Sequence, residues 1–105
     1  MNLNEYQKAA KSVCLPFAYS LDYLSLGLVA EAGEVAGVYA KYFRDRTSRG
    51  VMLEDVKKEL GDVLWFVAVL ADLHETSLEE IASKNIDKLL KRKENNTIGG
   101  SGNDR

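Results

Sequence analysis

One cysteine, one histidine and one proline are all that this chain of 105 residues holds of the residue types that mark covalent staples, soft-metal sites and chain breaks. Cys14 by itself cannot close an internal disulfide. With no histidine near it in sequence, it reads as a small buried hydrophobe at a helix end rather than as a thiol nucleophile. His74, the single histidine, leaves no pair for a zinc site and no Glu-x-x-His repeat for a carboxylate-bridged di-iron bundle. Its ordinary reading is an imidazole facing the last carbonyls of a helix. No long apolar run is present either: Val63 to Ala71 is bounded by Asp62 and Asp72, far short of the roughly 20 residues that span a bilayer. A net charge of −2 gives no general case for nucleic-acid or membrane partners. The chain contains no Gly-x-x-x-x-Gly-Lys-Ser/Thr segment, which excludes a P-loop. The first residues, MNLNEYQKAAK, lack the basic start and apolar stretch of a secretory signal, so a cytoplasmic location is expected.

What is there describes helices. Proline occurs only at Pro16, and apolar residues recur at helical spacing on either side of it. The expected fold is all-α: a four-helix bundle over residues 1–97, followed by a glycine-rich tail at 98–105. Asn2 with Glu5 forms a capping box that starts helix 1, read as residues 3–13. Helix 2 begins near Ser20 and keeps its period through Leu21, Leu24, Leu28, Val35, Tyr39 and Phe43 to about Arg44. The polar stretch Arg44 to Gly50 is the expected turn. Helix 3 follows from about Met52 to His74. Thr76 with Glu79, or Ser77 with Glu80, caps a fourth helix reaching about Glu94.

On helix 3 a projection at about 100° per residue gathers Val56, Leu60, Val63, Leu64, Val67, Leu70 and Ala71 into one apolar face. Asp55, Glu59, Asp62, Phe66 and Val69 form the adjacent stripe. The apolar surface continues past what one neighbouring helix covers, so a homodimer or homotetramer is predicted. Gly27, Gly33 and Gly37 weaken a helix interior, and their presence in helix 2 suggests close approach by a neighbouring backbone or a ligand.

The chemistry is carried by acids. Glu31 and Glu34 stand three residues apart in LGLVAEAGEVAG, and Glu59 and Asp62 three apart in ELGDVLW. Residues at this spacing share a helix face. Two antiparallel helices joined by the Arg44 to Gly50 turn would set one pair opposite the other. Four anions bordering a core repel one another and resist desolvation unless a cation sits among them. Oxygen ligands without cysteine or nearby histidine suit Mg²⁺, with Mn²⁺ as the alternative ion.

LGLVAEAGEVAG followed by LEDVKKELGDVLWFVAVLAD resembles the E-x-x-E and E-x-x-D signature of MazG-like nucleotide pyrophosphohydrolases, in the all-α NTP pyrophosphatase superfamily. The similarity runs from Tyr6 to about Arg92. It implies an enzyme that splits a nucleoside triphosphate between its α- and β-phosphates, with Glu31, Glu34, Glu59 and Asp62 as catalytic and metal-binding residues. Removal of non-standard nucleotides is one role such an enzyme fills. Asn85, Lys88 and Arg92 share a face of helix 4, and NIDKLLKR resembles the family's phosphate-contacting pattern. Lys41 is a further candidate for substrate binding, though an acid one or two turns away offers it a partner.

The tail IGGSGNDR reads as a frayed end or as a lid whose backbone amides and Arg105 meet an anion. Tyr6, Gln7, Tyr19 and Trp65 could meet a base, but aromatics at helical spacing are more often core, and packing is favoured for Trp65. Two alternatives remain at this point. One is a non-catalytic helical interaction or regulatory module, which the retention of four crowded acids argues against. The other is phosphoribosyl-ATP pyrophosphatase, a related fold ranked lower because Trp65-Phe66 stands where that branch carries Tyr-His.

Overall fold

Asn2 opens the first helix as its sequence suggested: its side chain accepts the Glu5 N–H at 2.8 Å while its own N–H donates to the Glu5 carboxylate at 3.1 Å. The computed structural model describes residues 1–95, so the glycine-rich tail and the lid reading lie outside the described residues. Helix α1 spans Leu3–Ser12. Pro16 forces Leu15 into extended backbone and starts a single 3-10 turn, Pro16–Ala18. Ser20 then caps α2, Leu21–Asp45, by accepting the Tyr23 N–H at 3.2 Å.

The turn to α3 is shorter than expected. Arg46 ends α2 in the left-handed region at φ 51°, and the Ser48 hydroxyl already accepts the Val51 N–H, so α3 covers Arg49–Leu73. A serine cap outranks the turn signal of Gly50, which is absorbed into the first helical turn. At the far end the His74 N–H bonds back to Leu70 and Ala71, and Glu75 turns the chain at φ 58°. Ser77 caps α4, Leu78–Glu94. Among the described residues there is no strand and no helix long and apolar enough to cross a membrane.

Helices α2 and α3 form a long antiparallel hairpin, and α1 packs against both α3 and α4. The core lies at one end of that hairpin, where Ala10, Leu24, Phe66, Ala68, Val69, Ala71 and Leu78 meet. Cys14 packs against this cluster, as a small hydrophobe should. Gln7 stitches three helices together. Its amide N–H groups donate to the carbonyls of Ala68 and Thr76, at 3.3 and 2.9 Å, and its oxygen accepts the Leu78 N–H at 3.0 Å.

Helix α3 buries only part of the projected face and adds residues from outside it. Phe66 and Val69, from the acid-bearing stripe, are buried, while Leu60 and Leu64 remain 51% and 40% exposed. The acid stripe is the side turned toward α2, and the projected apolar face is divided: Val56 and Ala71 are buried and Val67 and Leu70 pack against the core, whereas Leu60 and Leu64 look outward. On α2 only Leu24 is buried, whereas Leu26 and Val29 are each 70% exposed and Phe43 is 74% exposed.

Candidate active site

Three of the four expected acids converge. Glu31 comes from α2, Glu59 and Asp62 from consecutive turns of α3, and one carboxylate oxygen from each lies within 4.8 Å of the others. Glu31 and Glu59 are half-buried and Asp62 is exposed. Burial first, then the charges of Asp62, Glu59 and Glu34, push the Glu31 carboxyl above the usual carboxylate range, with a hydrogen-bonding contact to Glu59 adding to them. The ion pairs of the described residues are Lys11–Asp72, Arg44–Asp45, Lys57–Glu54 and Lys84–Glu80, and none of them relieves this triad.

Glu34 falls outside the triad. It is exposed and lines a groove of about 400 Å³ between α2 and α3, together with Gly37, Val38, Lys41, Arg44, Asp55, Lys58 and Glu59. Glu59 therefore belongs to both the triad and the groove. Lys41 lines this groove, and Lys58 and Arg44 add two cations that the sequence reading passed over. The signal for them was available: Lys41 and Arg44 are three apart, and Lys58 directly precedes Glu59. A groove in which each helix contributes both acids and cations offers both metal ligands and phosphate contacts.

The remaining candidates stand elsewhere. Asn85, Lys88 and Arg92 lie on α4, which packs on α1, and none of them lines the groove. Arg92 is buried at 5% exposure, Lys88 is half-buried and Asn85 is exposed. Tyr6 sits close enough to Asp62 for that charge, after burial, to raise its phenol pKa. Gln7 is committed to its three backbone contacts. The Tyr19 hydroxyl donates to Asp72 at 2.6 Å, and Lys11 pairs with the same carboxylate at 3.0 Å. The Trp65 indole N–H donates to the Ala10 carbonyl at 3.1 Å, which makes it packing between α1 and α3.

Of the three glycines only Gly27 meets a close neighbour, and that neighbour is a side chain rather than the backbone or ligand expected. A Cβ built on Gly27 would fall inside the Phe66 ring, whereas Gly33 and Gly37 have nothing within 4 Å.

The family profile described as the MazG nucleotide pyrophosphohydrolase domain matches residues 20–97, which takes in the triad, the groove and α4. The chain belongs to the MazG family. Nucleotide pyrophosphohydrolysis is accordingly its general class of activity, and a nucleotide its general class of substrate. MazG enzymes are typically dependent on a divalent metal, and the all-oxygen triad of Glu31, Glu59 and Asp62 is a donor set that fits one. Relatives include "Gene 37 protein" of Mycobacterium phage L5, 38% identical with all of both chains covered. Another is "Uncharacterized protein YvdC" of Bacillus subtilis (strain 168), 38% identical over 62% of this chain and 68% of that protein. Neither name states an activity. No solved structure matches.

Proposed function

We propose that this MazG protein is a Mg²⁺-dependent hydrolase of (d)NTPs that yields the (d)NMP and pyrophosphate, acting as a homodimer or homotetramer on the cytosolic nucleotide pool. The observation that carries the reading is the acid triad, relieved by no ion pair among the described residues, that shares Glu59 with a groove holding Lys41, Arg44 and Lys58. Glu31, Glu59 and Asp62 would hold the ion. When bound, it supplies positive charge against the phosphate oxygens and acidifies water at neutral pH.

The protein's own groups do the rest. Lys41, Arg44 and Lys58 bind the β- and γ-phosphate oxygens and orient the chain of phosphates along the groove. Glu34, exposed at the wall of that groove, accepts the proton of the attacking water. Water oxygen bonds to the α-phosphorus as the bond to the α–β bridging oxygen breaks, and pyrophosphate leaves with that oxygen.

Association is supported by what the protomer leaves uncovered. Leu26, Val29, Phe43, Leu60 and Leu64 are all exposed, and monomers seldom present large contiguous apolar surface. The radius of gyration, 16.5 Å, also exceeds the roughly 13 Å of a compact domain of about 100 residues. A second copy laid on the hairpin accounts for both. In that assembly Asn85 and Lys88 keep their assigned part as substrate contacts contributed from the adjoining protomer, whereas Arg92, at 5% exposure, is enclosed within its own protomer.

The test is pyrophosphate release from each standard NTP and dNTP, with dUTP and oxidised nucleotides included, in Mg²⁺ and in EDTA. Mg²⁺-dependent release that Glu59→Gln abolishes, with helicity unchanged, supports the reading. Silence across the panel, or an active Glu59→Gln protein, overturns it.

A further inference from the structure

The acids sit beside a close contact between the two long helices. Gly27 is one turn before Glu31 on α2, and Phe66 is one turn after Asp62 on α3. In an antiparallel hairpin these residues make the rung next to the triad. At that rung the Phe66 ring lies where a Gly27 side chain would be, with Cε1, Cζ and Cδ1 all inside contact distance of a built Cβ.

The ring has nowhere to retreat. Phe66 is 8% exposed. Trp65 meets it edge to face at 4.9 Å, and Trp65 is itself tethered to α1 through its indole N–H. Tyr23, one turn before Gly27, tilts over it with centroids 6.1 Å apart. Leu24 and Val69, both fully buried, are in the same core. Any side chain at position 27 must therefore be accommodated by separating α2 from α3.

Separation there acts on the triad, because Glu31 belongs to one helix and Glu59 and Asp62 to the other. Mg²⁺ holds its oxygens at about 2.0–2.1 Å in near-ideal octahedral order, so ligand oxygens must stand roughly 3 to 4 Å apart. The triad oxygens lie within 4.8 Å of one another, so a small ion has to draw them inward, and any widening adds to that cost. Ca²⁺ takes oxygens at 2.3–2.6 Å in flexible geometry and tolerates a wider cage.

We propose that Gly27 and Phe66 are positioning residues that set the spacing of α2 and α3 so that Glu31 reaches the same ion as Glu59 and Asp62, and thereby set preference for the smaller cation. The inference rests on the metal-site reading given above. It is tested by ion binding rather than turnover: calorimetric titration of the full chain with Mg²⁺ and, separately, Ca²⁺, with helicity followed by circular dichroism. Gly27→Ala is expected to weaken Mg²⁺ binding about tenfold or more and Ca²⁺ binding by no more than about threefold, helicity being kept, since alanine favours helix.

Leucine at position 66 lacks the Cε1 and Cζ atoms, the two closest to the new methyl. It keeps only the Cδ level, the farthest of the three at 2.9 Å, where a change of side-chain rotamer gives room. Gly27→Ala with Phe66→Leu is therefore expected to recover Mg²⁺ affinity to within about threefold of wild type, a non-additive result that a merely destabilising role does not give. Gly33→Ala, on the same helix but in open space, should leave both ions bound as before. Unchanged Mg²⁺ binding by Gly27→Ala, equal losses for the two ions, or no recovery in the double variant overturns the proposal while leaving the hydrolase reading intact. A Mg²⁺-selective loss in a protein that hydrolyses no nucleotide overturns the hydrolase reading and sustains this one. A wild-type protein that binds neither ion overturns both.

Discussion

Replacing Glu31 by Gln should make the metal-free protein more stable and the protein in Mg²⁺ no more stable than in EDTA. Glu31 stands within 4.8 Å of both Glu59 and Asp62. Two like unit charges at that separation repel by about 1 kcal/mol in water and about 3 to 4 kcal/mol at an effective dielectric of 20. Asp62 is exposed and Glu59 only half-buried, so screening favours the lower end, and the two pairs together cost about 2 kcal/mol. For a domain of about 100 residues that corresponds to a rise of roughly 10 °C in Tm. The wild type in turn gains stability from an ion it binds, about 2.7 kcal/mol at a hundredfold excess over Kd, and Glu31→Gln loses that gain. The pH dependence follows the same sign. Because the folded-state pKa of Glu31 lies above its unfolded value, the native state binds the extra proton between the two, and metal-free stability rises as pH falls through the folded pKa. Glu31→Gln flattens that slope. Thermal melts by circular dichroism in EDTA and in Mg²⁺, repeated from pH 4 to 8, read all of it. A metal-free Glu31→Gln protein less stable than wild type, or one that gains from Mg²⁺ as wild type does, would refute the reasoning.

Three further outcomes are expected. Gln7→Leu removes the hydrogen bonds to Ala68, Thr76 and Leu78 and should cost about 3 kcal/mol at about 1 kcal/mol each, read as a lower urea midpoint. Lys58→Met takes a cation out of the groove and should raise KM for the triphosphate about tenfold or more, with Mg²⁺ affinity equal or higher because a like charge has left the site. Leu26→Asp with Val29→Asp puts charge on residues each 70% exposed and should yield a helical monomer by sedimentation, whereas an unchanged assembly would place the interface on another face.

Much of this was legible because helices advertise themselves locally. Asn2 with Glu5, Ser20 before its apolar run and the lone Pro16 marked their ends through side-chain chemistry that acts over three or four residues. The acid pairs were legible for the same reason, since spacing alone puts both members on one face. What periodicity does not encode is depth across a hairpin. Glu34 shares a face with Glu31 yet lies on the groove wall outside the triad, and Lys58 lines that groove although it projects about 100° from Glu59. Nor does periodicity say how much of an apolar face one chain can cover: on α3 Val56 and Ala71 are buried alongside Phe66 and Val69, and Leu60 and Leu64 are left for another surface. Gly27 announced a close approach, but nothing local named Phe66, 39 positions on, as the group that approaches. Gln7 was weighed as a base contact, and only its long-range bonds reveal it as a structural tie.

The most direct test of the metal site is anomalous diffraction from crystals grown or soaked in Mn²⁺. The account predicts anomalous density bonded to carboxylate oxygens of Glu31, Glu59 and Asp62 at about the 2 Å expected of a small divalent ion. Density at other residues only, or an ordered triad with none at millimolar Mn²⁺, would contradict it.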